Sequence, residues 1–584
     1  MMTTLVDAES VLAIDIGSVN TRAFLFDVSE GRYRFVAVGS APSTVDAPFR
    51  DVSEGVRQAI DRLHEITGRV LVGKDERLII PGLPDGSGVD VLTVSMSAGP
   101  TLSAVAMGLL EDVSLESAQR LIQSTYATAS EVIGMNDRRK PDTQIDAILR
   151  THPDLIVIAG GTDQGASRSV MKLLEIVGLA AYLLPSERKP EVLFTGNTVL
   201  ESRVKSTLEA MATVHVAPNI RPSFELEDLG PAQDVMRGIY SKVRGKQING
   251  VQSLSNLAGG RLIPTSDGFG RLIRFLSKLY DPAKGVLGVD LGGSATTVAS
   301  AFSGKLSLNV FRPLGIGEGL SGVVAEVSQA DVLRWLPFHV SEEYVKDYAL
   351  HKSLHPASVP ATAEDLAVEQ ALAREAIRLA LRKTAQLSQD GAFTSAGGLK
   401  KYFEPIVASG AVLARAPTRG QAMLMLLDAL QPVGVTTIVL DQNNLAPALG
   451  AAAPVNSMLP VQILESGAFL NLGTVISPAS DVHYGTPVLR IHIAYDEGDE
   501  NRLEVKQGHL GAIPLALGQK AKITLEPMHR TDVGMGRPGR GGSVKVVGGI
   551  LGLIIDARGR PLGLPADAPR RREMVKKWLW TLGG

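Results

Sequence analysis

Cysteine is absent from the 584 residues. That removes disulfides, thiolate catalysis and cysteine-ligated iron–sulfur clusters, and it agrees with a reducing cytoplasm. An excess of one charge sign is missing too. A formal net charge of −2 gives the whole chain no attraction to nucleic acid. Long hydrophobic runs are also lacking: LIVIAG from Leu155 and MLMLLDAL from Met423 fall well short of the roughly 20 residues a membrane helix needs. The N-terminal MMTTLVDAES carries acidic residues and no basic segment, so no secretory signal is expected. No GxxxxGK[ST] loop occurs, which leaves a P-loop nucleotide site unsupported. What remains is ordinary soluble globular composition, 45% apolar and 21% charged, long enough for three or four compact units.

One stretch appears twice. Val11 to Asp27 reads VLAIDIGSVNTRAFLFD, and Val286 to Phe302 reads VLGVDLGGSATTVASAF. Each opens on an apolar run too brief for a helix and ends it in Asp-x-Gly, the pattern of a buried strand entering a tight turn. Small hydroxyl residues and glycines then let backbone N–H groups approach an anion closely. Thr21 follows Asp15 by six residues, and Thr296 follows Asp290 by six. Two copies 275 residues apart predict two similarly built halves facing each other across a phosphate.

Together the copies resemble the phosphate-1 and phosphate-2 hairpins of the ATPase fold shared by actin, DnaK-type chaperones and sugar kinases. Further segments resemble the glutamate mutase accessory family called MutL or GlmL: SMSAGPTLSAVAMGLLEDVSLESAQRLIQSTYATASEVI from Ser95, HPDLIVIAGGTDQG from His152, PEVLFTGN from Pro190 and EQALAREAIRLALRK from Glu369. The resemblance spans roughly residues 10–455. It implies an α/β, actin-like (ribonuclease H-like) two-lobed ATPase fold that binds ATP and Mg²⁺. Asp15 and Asp290 are then the catalytic and metal-associated residues. Gly17, Ser18, Asn20 and Thr21 hold the phosphates from one side, and Gly292, Gly293, Ser294 and Thr296 from the other. Two glycine turns compete for the adenosine position, Ser395-Ala-Gly397-Gly398 and Ser409-Gly410. The resemblance favours Ser409 and Gly410, because the segment from Ala414 to Asp441 follows them in register with the family.

The rest of the chain is read as follows. Residues 1–285 form the first lobe with an α/β insertion, 286–454 the second lobe, and 455–584 a β-rich addition. Leu102 to Leu110 reads as a helix with Pro100 in its first turn, and residues 142–217 as an inserted βαβα lobe. Asp163, in the glycine turn that ends a strand at Ala159, is a candidate ligand contact. His351 and His355 have HxxxH spacing, but Pro356 places the second at or past the helix end, against a metal site. Leu314 to Gly319 reads as a flexible turn, and Leu445 to Ala453 resembles the fold's hinge helix. After Val455, strand-like runs including Val461–Leu464, Val488–Ile493, Lys520–Leu525 and Ser543–Val547 predict a small β-barrel or sandwich. Its end is basic: Arg537, Arg540, Lys545, Arg558, Arg560, Arg570, Arg571, Arg572, Lys576 and Lys577 outnumber Asp556, Asp567 and Glu573. Without interleaved aromatics, partner docking is favoured there over nucleic acid.

The family resemblance implies an ATP-dependent accessory protein, or reactivating chaperone, for an adenosylcobalamin-dependent mutase of the glutamate mutase type. ATP hydrolysis would be coupled to remodelling of that cytoplasmic client. No DxHxxG motif occurs, so the cobalamin belongs to the partner. Where the family carries Asp and His after the second phosphate turn, this chain has Thr297 and Ala299; if that aspartate orients water, hydrolysis here is expected to be slow or absent with binding kept. The alternatives are a small-molecule kinase of the same fold, with Asp163 or Asp441 as general base, and a nucleotide-switched scaffold.

Overall fold

The computed structural model describes residues 9–388, 391–496 and 498–583. It divides into two compact units, one made of Met1–Ser10, Phe24–Val38 and Gly268–Gly584, the other of Val11–Ala23 and Gly39–Asp267. Among the described residues, no helix is long and apolar enough to cross a membrane.

The first sheet contains β1 (Val11–Ile16), β2 (Asn20–Ser29), β3 (Arg32–Pro42) and β4 (Val91–Met96). Every residue of β1 is buried, as a central strand requires. β4 runs parallel to it in continuous register, from Val11 opposite Val91 to Ile16 opposite Met96. The chain then leaves for an insertion and returns as β10 (Leu262–Pro264), parallel to β4. The sheet order is β10-β4-β1-β2-β3.

The insertion comprises β5 (Leu102–Met107), β6 (Ala127–Ile133), β7 (Leu155–Ile158), β8 (Glu191–Phe194) and β9 (Thr213–Val216). All pairings are parallel, in the order β6-β5-β7-β8-β9. Here the expected helix at Leu102 is corrected: it is β5, the second strand of this sheet. An all-apolar run carries no periodicity to separate helix from strand, and pairing with both β6 and β7 decides it. The inserted lobe therefore opens at Leu102 rather than at residue 142.

The second half repeats the first. β11 (Gly285–Leu291), β12 (Thr296–Phe302) and β13 (Lys305–Phe311) form an antiparallel meander, while β14 (Phe403–Ser409) and β15 (Gly434–Leu440) lie parallel beyond β11. With strands counted by appearance and the insertion set aside, both halves read 3-2-1-4-5. This duplication is the actin-like architecture. The 25-residue helix Ala363–Leu387 covers the second sheet; a capping box of Thr362 and Asp365 starts it, and Leu372, Ala376 and Leu379 enter the core.

The C-terminal strands split between two sheets. β16 (Leu470–Ser477), β19 (Leu510–Ile513) and β22 (Leu553–Asp556) extend the second-half sheet past β15. β17 (Pro487–Tyr495), β18 (Glu500–Lys506), β20 (Lys520–Pro527) and β21 (Gly542–Val547) form a separate antiparallel sheet in the order β18-β17-β20-β21. Ile491 and Ile523 of one sheet meet Ile476 and Ile555 of the other, so a sandwich forms. Two expectations are corrected. Val461–Leu464 lies in the helix Met458–Glu465, where Asn456 accepts the first free amides and Leu459 and Ile463 bury one face at i, i+4 spacing. The basic end is less basic at its surface than its sequence suggests. Arg558 and Arg560 are buried on Asp556, and Arg558 also binds Asp428, which pairs with Arg374. Trp578 is buried beneath Arg558 at 4.5 Å, whereas Trp580 is 83% exposed.

Candidate functional site

At the first hairpin, the Gly17 amide donates to the Asn20 carbonyl at 3.0 Å and closes the turn. A Cβ on Gly17 would lie 2.8 Å from that carbonyl oxygen, so the turn has room only for glycine. Asp15 precedes it on β1 and is 4% exposed. Its Oδ1 accepts hydroxyl hydrogen bonds from Ser95 at 2.7 Å and Thr265 at 2.8 Å. Ser95 is its register partner on β4, and Thr265 follows β10. Arg22 lies 3.9 Å from Oδ2. Burial pushes the Asp15 carboxyl above its ordinary range, against the Arg22 charge and both hydroxyls. Ser18 and Asn20 are half-buried and Thr21 is buried.

The second hairpin closes the same way. The Gly292 amide donates to the Ala295 carbonyl at 2.9 Å. Asp290 pairs in register with Ser409 on β14, as Asp15 does with Ser95 on β4. Gly410 follows with φ +116°, and a Cβ there would stand 2.2 Å from the Leu291 carbonyl oxygen. Asn444 Oδ1 accepts from both the Ser409 hydroxyl (3.2 Å) and the Gly410 amide (3.1 Å). The structure thus gathers Asp290, Gly292, Gly293, Ser294, Thr296, Ser409 and Gly410 at one end of neighbouring strands. Asp15, Gly17, Ser18, Asn20 and Thr21 make a second constellation, with Ser95 and Thr265 as members that sequence reasoning missed.

Leu314–Gly319 is also more than a turn. The Ile316 amide donates to the Gly292 carbonyl at 2.9 Å and the Gly319 amide to the Gly293 carbonyl at 3.0 Å. The Thr296 hydroxyl donates to the Leu314 carbonyl. Cβ atoms on Gly315 or Gly319 would come within 2.6 Å of backbone in this second turn or the segment itself. The segment is a brace, and its signal was the spacing of Gly315, Gly317 and Gly319.

The remaining candidates make the following contacts. Asp441 Oδ1 and Oδ2 accept from the Leu445 and Ala446 amides at 2.8 and 2.7 Å, capping the helix Ala446–Ala452. Within that helix Gly450 packs directly on Gly268. Asp163 is exposed, and its Oδ1 accepts from Asn219 at 3.0 Å and from Thr198, which staples the loops after β7, β8 and β9 together. Ser395–Gly398 forms a turn against the long helix, with Gly397 beside Arg378 and Arg382. His351 and His355 lie 5.0 Å apart at a helix end. Among the described residues, no group of three potential ligands could hold a metal ion.

The family pattern described as MutL protein matches residues 11–467. The chain belongs to the MutL protein family. Protein MutL of Clostridium tetanomorphum is 24% identical over 306 residues, 51% of this chain and 59% of that protein. The match therefore spans less than two thirds of that relative. Among solved structures, nucleotide-free acetone carboxylase is similar at 14% identity and a TM-score of 0.30, covering 86% of this chain and 82% of that one. Component A of (R)-2-hydroxyglutaryl-CoA dehydratase from Acidaminococcus fermentans is similar at 10% identity and a TM-score of 0.25, covering 76% and 96%. Scores of this size add nothing to the fold, which rests on the duplicated strand order. The MutL match takes in both hairpins and the helix Ala446–Ala452 and stops before β16, so the separate antiparallel sheet of the sandwich lies beyond it.

Proposed function

We propose that this MutL-family chain is an ATP- and Mg²⁺-binding accessory protein, of the reactivating-chaperone type, for a cytoplasmic adenosylcobalamin-dependent mutase of the glutamate mutase kind. The observation that carries the nucleotide reading is the pair of identically closed turns, each with an aspartate on the entering strand whose register partner on the next strand is a serine. The residues fit the phosphates of a nucleotide. Gly17 leaves backbone where a side chain would fill the first turn, with Ser18 and Asn20 adding amides and a hydroxyl there, and Gly292 does the same at the second turn with Gly293 and Ser294. Each turn also suits a hard cation held largely through water, because its entering strand carries an oxygen donor, Asp15 in one and Asp290 in the other. Bound Mg²⁺ would supply charge neutralisation at the phosphate oxygens.

Within this reading, Ser95 and Thr265 orient the Asp15 carboxylate, while Thr296 and Leu314–Gly319 hold the second turn rigid. Ser409 and Gly410 border the adenosine. Thr297 is buried opposite Asp290 in the β11–β12 ladder and Ala299 is buried two residues on. Neither side chain can orient water as a carboxylate or imidazole would, so turnover is slow and nucleotide occupancy is the main signal to the client. Membership of the MutL family supports the mutase client.

The test is Mg²⁺-dependent ATP binding and hydrolysis by wild type, Asp15→Ala and Asp290→Ala, with melting curves confirming that each folds. Wild type should bind ATP and turn it over slowly, and both variants should lose turnover. Absence of ATP binding by folded wild type would end the nucleotide reading. ATP-dependent co-elution with an adenosylcobalamin mutase tests the client separately.

A further inference from the structure

The unit containing the second half has a cavity of about 470 Å³, open to solvent on one side, that none of the nucleotide-site residues line. Its floor is the face of β14, β15 and β16, one wall is the helix Thr265–Leu279, and the other is β21, an edge strand of the separate antiparallel sheet. It meets the first half of β14, at Glu404, Pro405 and Val407, whereas Ser409 and Gly410 end that strand. The volume falls within the roughly 300–1,000 Å³ typical of small-molecule sites.

Most of the lining is apolar, with Leu272, Leu276, Val439, Phe469 and Val546 facing the space. Apolar walls reward a ligand that removes them from water. One region is polar. Lys284 lines it, its Nζ donating to the Val435 carbonyl over a long 3.3 Å. Lys545 of β21 lines the cavity too and is exposed. Glu404 accepts the Thr437 amide at 2.9 Å. Burial pushes its carboxyl up, with the Thr437 hydrogen bond and Lys284 opposing. Asn471 also lines the cavity, and its Oδ1 is buried with no hydrogen-bond partner among the described residues. A carboxylate offers that oxygen no donor, so it is left to water and takes no part in holding the head.

We infer that this cavity is a binding site for an amphipathic carboxylic acid, an apolar chain or ring bearing one carboxylate, with the head between Lys284 and Lys545 and the body against the helix and β16. Two ammonium groups against one carboxyl select an anionic head over a cationic one. The site would couple the separate antiparallel sheet to the second half, because β21 belongs to one and β14 to the other.

Calorimetry on the full chain with decanoate, decylamine and decanol tests this, using each below its micellar concentration. Decanoate should bind at one site and more tightly than decylamine. Lys284→Gln should weaken decanoate about tenfold, the loss expected of one charge-assisted contact, and leave decanol unchanged. Val439→Trp should fill the cavity and abolish binding of both. Should that variant fail to fold, Leu276→Phe gives the same steric test. 3-Phenylpropionate in place of decanoate separates an aromatic body from an aliphatic one. Equal or tighter binding of decylamine overturns the inference, as does decanoate binding indifferent to these substitutions or no saturable binding in wild type.

Discussion

The two hairpins are built from the same local sequence and supported in different ways. The first turn carries a buried aspartate fixed by side chains: Ser95 and Thr265 donate to Asp15, and Arg22 stands 3.9 Å away. The second leans more on backbone, with the Thr296 hydroxyl and Asn444 Oδ1 adding side-chain bonds. Leu314–Gly319 wraps the Gly292–Gly293 turn with main-chain hydrogen bonds, and Gly410 backs onto Leu291. A turn held by side chains can be tuned by one substitution at a time. The turn glycine itself is tighter in the first hairpin, with a Cβ 2.8 Å from backbone at Gly17 against 3.1 Å at Gly292, but the second adds Gly315, Gly319 and Gly410, where a Cβ comes within 2.6 Å of other backbone.

The largest effect should therefore come from glycine on the backbone-held side. Gly410→Ala combines strain at φ +116° with a 2.2 Å approach to Leu291, and Gly315→Ala puts a Cβ 2.5 Å from the Gly293 oxygen. Each should destabilise the fold by about 2–4 kcal/mol. Ser18→Ala, at the half-buried first turn, should stay within about 0.5 kcal/mol of wild type. Urea unfolding compares them. If Gly315→Ala unfolds at the wild-type midpoint, the brace is not tight and the comparison fails.

A smaller effect is expected from the side-chain supports. Ser95→Ala removes one of two donors to a buried carboxylate, which should cost about 1–3 kcal/mol. Ser409→Ala, the matching position in the second half, removes only a 3.2 Å bond to Asn444, which keeps the Gly410 amide. Its cost should fall near 1 kcal/mol or below. Equal losses in thermal unfolding would show that the register match carries no difference in role.

How much of this was legible before folding depends on where each determinant lies. The paired hairpins were, because strand, Asp-x-Gly turn and second strand are contiguous and one geometry satisfies them. The placement of Ser409 at the end of β14 was legible as well, from the apolar run that precedes it. Leu102–Met107 was not, since an apolar run destined for a parallel sheet looks the same as a buried helix until β6 and β7 are beside it. The brace was hidden for a related reason: Gly315 and Gly319 matter through Gly293 and Ser294, some twenty residues away, and a glycine-rich run alone reads as freedom. Ser95 and Thr265 reach Asp15 only through strand register, across 80 and 250 residues. Arg558 and Arg560 counted as surface charge until Asp556 and Asp428 were seen to bury them.

The finest test of the comparison is the pH dependence of the first turn. The Asp15 carboxyl is raised above its ordinary range by burial, with Arg22, Ser95 and Thr265 working against that shift. For a group raised in the native state, the folded protein binds more protons than the unfolded chain across the window between the two pKa values. Stability is thus lost as pH rises through that window and is constant above it. Asn at position 15 has no charge to bury and keeps an oxygen acceptor for both hydroxyls. Asp15→Asn should therefore gain stability relative to wild type as pH climbs from the ordinary aspartate range toward neutrality, even as nucleotide turnover is lost. Arg22→Gln should act in the opposite direction and weakly, by at most about 1 kcal/mol for a pair 3.9 Å apart, because it raises the carboxyl further and deepens the loss near neutral pH. Urea midpoints of the three proteins between acid and neutral pH decide it: parallel curves would mean that the charge on the Asp15 carboxyl does not govern the stability of the first hairpin.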